Sequence, residues 1–174
     1  MSEGILSLCS GYGGLDIAVK ALTGGHQVAY AENYGPAARV MAHHNPGVPN
    51  LGDITRVDWH EVRDLYNPRH VAAGWPCQDL SDAGKRTGIS GSRSGIWKNV
   101  AEAVRVIQPR LVFLENVAAV RSRGLDVVAH DMDSIGYSLT WVCIRASEVG
   151  SCHPRHRWFG LGRPHGVHAD PESI

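Results

Sequence analysis

A cysteine, a carboxylate, a pair of arginines and a glycine-rich loop are the residues of this chain best suited to chemistry. Cys77 lies in Gly74-Trp75-Pro76-Cys77-Gln78-Asp79-Leu80-Ser81, just after a proline and a short apolar run, Val71–Ala73. A thiol there is either a nucleophile on a stiff turn or a small buried hydrophobe, and packing is the commoner fate of a lone cysteine. Glu115 opens Glu115-Asn116-Val117, directly after the apolar run Leu111–Leu114. Core packing needs neither a carboxylate nor an amide at that point, whereas proton transfer would use the carboxylate. Arg155 and Arg157 alternate with His153 and His156. In an extended segment both arginines share a face with His153, and either could bind a carbonyl oxygen or a phosphate. Cys152, His153 and His156 form a small group of metal-ligand types beside those arginines. Without a second Cys/His pair, and with cationic neighbours, they do not make a zinc site, and no metal is expected.

The loop is Ser10-Gly11-Tyr12-Gly13-Gly14, between the apolar run Ile5–Cys9 and a helix-spaced stretch, Leu15–Leu22. Strand, glycine turn and helix together open a nucleotide-binding α/β unit, in which backbone amides and a helix N-terminus favour an anionic or polar ligand. A second strand, Gln27–Ala31, ends at Glu32, which lies 18 residues past Gly14 and is spaced to accept from ribose hydroxyls. Asp53-Ile54-Thr55 forms a further turn that could approach the same ligand.

The elements that must position these residues follow from periodicity. Helices are expected at Pro36–His44, Asp58–Tyr66 with Asp58 as its cap, Ile96–Ile107, and Leu125–Ile135 closed by Gly136. Val71–Ala73 reads as the fourth strand and Leu111–Leu114 as the next, leading into Glu115. Tyr137–Arg145 and Arg157–Leu161 read as a closing hairpin, with Gly150–His156 in its turn. Asp82–Ser94, rich in glycine and basic residues, is long for a connection and reads as either a mobile lid or an ordinary surface loop. The expected fold class is α/β, a mostly parallel sheet with a terminal antiparallel hairpin, with 1–162 as the working domain and 163–174 as a tail. In such a sheet Cys77, Glu115 and the glycine loop share the rim at the carboxyl ends of the strands.

Composition bounds the partners. A length of 174 residues suits one domain with a substantial core. Seventeen basic residues balance 17 acidic ones, so no global field argues for a polyanion, although residues 145–168 are locally basic. No apolar run reaches membrane-spanning length, and no signal peptide is evident. The four cysteines (Cys9, Cys77, Cys143 and Cys152) form no disulfide framework, which suits a reducing cytoplasm and a free catalytic thiol.

At this point the motifs resemble the DNA cytosine-C5 methyltransferase family, and in order they span nearly the whole chain. Ser10–Gly14 resembles its cofactor loop, Glu32 its ribose-binding acid, Gly52-Asp53-Ile54-Thr55 its adenine-binding turn, Gly74–Ser81 its Pro-Cys-Gln motif, Glu115–Val117 its Glu-Asn-Val motif and His153–Arg157 its Arg-x-Arg segment. The chain departs from the pattern at Cys9, Tyr34 and Cys152, where the family often has Phe, an acid and Pro. The resemblance implies a Rossmann-like S-adenosylmethionine-dependent methyltransferase fold. It implies catalysis by Cys77, Glu115, Arg155 and Arg157, and cofactor binding by Cys9, Ser10, Gly11, Gly13, Gly14, Glu32, Asn33, Asp53, Ile54 and Pro76. DNA is the implied substrate, its cytosine flipped out and covered by the Asp82–Ser94 loop, with Lys85, Arg86 and Arg93 meeting phosphate. The 13 residues after Leu161 are too few for the family's target-recognition region, so the resemblance implies either a minimal core or one part of a split enzyme with a separate recognition subunit. The alternative is a non-catalytic relative that binds DNA or protein.

Overall fold

The computed structural model describes residues 3–76 and 95–166. Cys77–Ser81 and the Asp82–Ser94 loop therefore lie outside the described residues. Six strands, β1 (Gly4–Leu8), β2 (His26–Ala31), β3 (His70–Ala73), β4 (Leu111–Val117), β5 (Tyr137–Arg145) and β6 (His156–Pro164), form one sheet in the order β2-β1-β3-β4-β6-β5. The first four run parallel, and β6 pairs antiparallel with both β4 and β5. Val71–Ala73 belongs to the third strand in chain order, not the fourth. Where a strand was counted between it and β2, there is only a single parallel bridge, Tyr30 to Asn50.

Strand order reverses at β1, which carries β2 on one side and β3 on the other. The crevice outside the carboxyl ends of β1 and β3 is thus the place where a sheet of this kind accepts ligands. Among the described residues six α-helices connect the strands: α1 (Gly14–Thr23), α2 (Gly35–His44), α3 (Trp59–Tyr66), α4 (Ile96–Ile107), α5 (Val120–Arg123) and α6 (Leu125–Ser134). Asp58 caps α3 as expected, its carboxylate accepting from the backbone N–H groups of His60 and Glu61. The short α5 was not anticipated, since four residues leave no readable period.

The sheet is covered unequally. Leu6, Leu8, Val71, Ala73, Val112, Leu114 and Trp158 pack with α3, α4 and α6 residues such as Val62, Val100, Val104, Val128 and Met132 in the main core. On the other face Ile5, Val19 and Ala72 make a smaller core under α1, joined by Leu15 and Phe113. β4 shows the asymmetry directly: Val112, Leu114 and Asn116 are buried, while Leu111, Phe113, Glu115 and Val117 are only half-buried.

Two strands run further than their sequence suggests. β4 continues past Leu114 through Glu115-Asn116-Val117, which pair with Arg157–Phe159 of β6. β6 extends from His156 to Pro164, so Gly162, Arg163 and Pro164 belong to the sheet, not to a tail. Gly160 and Gly162 look like strand breakers, yet they make room. A Cβ at Gly160 would lie 2.4 Å from Trp158 Cη2, and one at Gly162 would lie 2.5 Å from Met132 Cε. Large buried side chains occupy the space that these glycines leave.

Candidate active site

The glycine loop begins at the end of β1 with backbone that ordinary residues avoid. Gly11 and Gly13 have φ of +52° and +80°, and Cys9, which is not a glycine, has φ of +52°. A side chain at Gly13 would also collide with Met41, whose sulfur lies 2.9 Å from the Cβ position. Gly13 then serves as N-cap of α1 with no side chain to satisfy the helix amides. The Cys9 thiol is largely buried beside Glu32 and Asp53. Burial first, and then those two carboxylates, push its pKa up to about 12, so Cys9 is inert as a nucleophile.

Glu32 is 8% exposed at the end of β2 and acts as the strut of the loop. Its Oε2 accepts from Gly11 N–H and its Oε1 from Tyr34 N–H, each at 2.7 Å. Asn50 closes the backbone of Glu32 from both sides, its side-chain oxygen accepting from Glu32 N–H at 3.1 Å and its amide donating to Glu32 O at 3.0 Å. Asp53 accepts from the N–H and the hydroxyl of Thr55, at 2.9 and 2.8 Å. Those bonds, aided by Arg56 and the Asn33 side chain, hold its carboxyl below the usual range.

The opposite wall comes from the hairpin. Glu115 pairs with Phe159 across β4 and β6, which places Arg157 two residues along on the same face. There Arg157 Nε donates to Glu115 Oε1 at 2.7 Å, with both side chains about three-quarters buried. The other carboxylate oxygen, Oε2, faces Gly74, 3.4 Å from where a Cβ would stand. Asn116 turns the other way: its side-chain amide donates to Trp75 O at 3.2 Å, and its oxygen accepts from Val117 N–H at 2.8 Å. Trp75 is itself wedged against Trp97 and Trp158, with ring centroids 4.8 and 6.2 Å away. The Gly74-Trp75-Pro76 segment that leads to Cys77 is therefore held by a buried aromatic cluster and by Asn116.

Loop and hairpin face each other across one cavity of about 580 Å³. Of the residues expected to act there, Cys9, Ser10, Gly11, Gly14, Glu115, Arg155 and Arg157 line it. Gly13, Glu32, Asn33, Asp53, Ile54 and Pro76 do not: Glu32 and Gly13 shape the loop from behind, Ile54 is in the main core, and Pro76 is exposed. Arg155 precedes β6 and is exposed, so only Arg157 of the two arginines is fixed by the strand. Sequence reasoning missed Asp16, Phe159 and Ile144, which also line the cavity. Asp16 carried a signal, being an acid in the first turn of the helix that follows the glycine loop.

A parallel sheet with a glycine loop at its switch point, facing an antiparallel hairpin, defines a Rossmann-like S-adenosylmethionine-dependent methyltransferase fold. The loop's close-approach glycines, its buried acid strut and a cavity with unsatisfied polar groups fit that cofactor. A family model described as C-5 cytosine-specific DNA methylase matches residues 4–172. The chain belongs to that family. Type II methyltransferase M.CviJI of Paramecium bursaria Chlorella virus IL3A is 34% identical over 165 residues, covering 92% of this chain and 43% of that protein. Type II methyltransferase M.HhaI of Haemophilus parahaemolyticus is 30% identical over 160 residues, covering 88% of this chain and 47% of that protein. A solved Spodoptera frugiperda DNMT2 variant has the same fold, with a TM-score of 0.78 at 21% identity over 95% of this chain and 51% of that one. The chain spans about half the length of the curated relatives it matches. Among the described residues no helix is long and apolar enough to cross a membrane.

Proposed function

We propose that this chain is the catalytic core of a DNA cytosine-C5 methyltransferase, acting through a covalent Cys77 adduct on a flipped cytosine. Target choice comes from polypeptide outside these residues, such as the recognition subunit of a split enzyme. The catalytic unit runs through residue 164 and so takes in all of β6, and the relatives named as type II methyltransferases support a place in restriction and modification of DNA. The observation that carries the proposal is the Glu115–Arg157 pair, 2.7 Å apart on the wall of the cavity that the glycine loop also lines.

C5 of cytosine is a weak nucleophile, so the ring must first be activated. The Cys77 thiolate adds to C6, and the displaced ring electrons move toward N3, making C5 an enamine carbon. Glu115, anchored by Arg157 through Oε1, keeps Oε2 for N3 and the exocyclic amine, and supplies the proton that N3 takes up. Arg157, with Arg155 beside it, meets the base oxygen O2 where negative charge accumulates. Bound S-adenosylmethionine supplies an electrophilic methyl group for C5. Loss of the C5 proton and expulsion of the Cys77 thiolate restore the double bond. A reducing cytoplasm keeps that thiol free.

Transfer of labelled methyl groups to cytosine-containing DNA, with and without a complementing recognition polypeptide, tests the activity. A 5-fluorocytosine duplex should trap an adduct that Cys77→Ser abolishes. Neither transfer nor adduct under any pairing refutes the proposal and favours the non-catalytic alternative.

A further inference from the structure

Asn50 is exposed, stands outside every helix and strand, and does not line the cavity. Both ends of its side chain are nonetheless engaged. Oδ1 accepts from Glu32 N–H at 3.1 Å and from Gly52 N–H at 2.9 Å, and Nδ2 donates to Glu32 O at 3.0 Å. A carboxamide that meets both the N–H and the C=O of one residue imitates a neighbouring strand. The main chain beside it pairs with β2 in earnest: Tyr30 N–H donates to Pro49 O at 3.1 Å, and Leu51 N–H donates to Tyr30 O at 2.7 Å. Gly52, at φ of +73°, then turns the chain away from β2. Backbone pairing thus stops short of Glu32, and the Asn50 side chain supplies the last pair. Two parts of the rim converge on that one side chain. Glu32 holds the N–H groups of Gly11 and Tyr34, so its backbone position sets the glycine loop. Gly52 leads into the Asp53 turn, which is tied back to Asn33, the residue after Glu32. At an exposed position water could satisfy each of these groups singly. Water could not fix Glu32 and Gly52 relative to each other.

We infer that Asn50 is a positioning residue for the cofactor: without touching it, Asn50 holds the glycine loop and the Gly52–Thr55 turn in the mutual spacing that S-adenosylmethionine requires. This rests on the methyltransferase reading and adds to it a residue outside the cavity. A purely structural asparagine would contribute to stability alone and leave the loop and the affinity unmoved.

The test pairs amide hydrogen exchange with calorimetry on Asn50→Ala. Asn50 is exposed, so the change opens no core cavity and the variant should fold. Without cofactor, exchange at the Gly11 and Tyr34 amides should quicken about 10-fold, because Glu32 is no longer braced. S-adenosylhomocysteine, titrated well below the melting point, should bind about 10-fold more weakly. Tyr137→Phe is the control for destabilisation alone. It removes a buried bond to Pro109 O at 2.6 Å, and should lower Tm while leaving that affinity within about twofold. An Asn50→Ala affinity within about twofold of the original would overturn the inference, whatever the exchange rates do. So would weaker binding without faster exchange at Gly11, or a variant too unstable to titrate, which would make Asn50 a scaffold residue. If the unaltered protein bound no S-adenosylhomocysteine, the methyltransferase reading would fall and the inference with it. Cofactor binding that ignores Asn50→Ala would remove the inference alone.

Discussion

Gly160→Ala puts the packing around the Cys77 approach to a quantitative test. The added methyl would lie 2.4 Å from Trp158 Cη2, 3.0 Å from Cζ2 and 3.1 Å from Cζ3. Trp158 is fully buried and cannot swing to solvent, and its ring leans on Trp75 at 6.2 Å. Relief must come from moving that ring or bending β6, and overpacking of this kind costs about 1–3 kcal/mol. Replacing glycine in a strand returns roughly 0.5–1 kcal/mol through lost chain entropy. A net destabilisation of about 1–2 kcal/mol corresponds to a fall in Tm of roughly 2–8 °C for a chain of this size. Thermal and urea unfolding measure it, and near-UV circular dichroism reports the disturbed tryptophans. Trp158→Phe should rescue the variant, because phenylalanine lacks the distal benzo atoms and Trp158 Nε1 has no hydrogen bond to lose among the described residues. A Gly160→Ala protein as stable as the original, or a double variant with no rescue, would show that Trp158 does not fill the space above Gly160. The displaced ring should also slow methyl transfer, since Trp75 precedes Pro76 and Cys77.

Two further predictions concern the rim, and a third the pH dependence of stability. Arg157→Ala should lower the rate of methyl transfer on the order of 10²-fold while leaving S-adenosylhomocysteine affinity nearly unchanged, because it removes a donor at developing charge; a parallel loss of cofactor affinity would contradict that role. Gly74→Ala should crowd Glu115 Oε2 from 3.4 Å and reduce kcat more than stability, as compared by single-turnover assays and melting curves. Cys9 and Tyr137 each hold their proton up to about 12 in the folded chain, against ordinary values of 9.0 and 10.0. The unfolded chain loses those protons first, so stability should fall as pH rises from about 9 toward 12, and Cys9→Ala should flatten the early part of that decline.

What the sequence disclosed, and what it hid, divides along physical lines. The bounds of α4 matched at both ends, because Ile96, Val100, Ala103, Val104 and Ile107 keep a helical period; the last four are buried, with Trp97 in place of Ile96 at the start of the face. The glycine loop was equally legible, since positive φ at Gly11 and Gly13 has few other solutions. β6 was read too short because Gly162 and Pro164 signal a break locally, and only the buried bulk of Met132 explains Gly162. Glu32 was recognised as an important acid, but its oxygens are engaged with Gly11 and Tyr34, a pairing decided by how β2 lies beside β1. Asp16 escaped notice because spacing cannot tell a buried carboxylate from a solvated one at a helix start.

The place of β6 inside the sheet also orders the birth of the molecule. Strands β1 to β4 can zip together as they leave the ribosome, but β5 has no direct partner among them and must wait for β6. Until His156–Pro164 is synthesised, the outer edge of β4 stays bare and prone to stray pairing. Arg157 arrives at Glu115 on that same late strand. A nascent or truncated chain can therefore build its glycine loop early, yet it lacks the Glu115–Arg157 pair until the last strand of the sheet has been made.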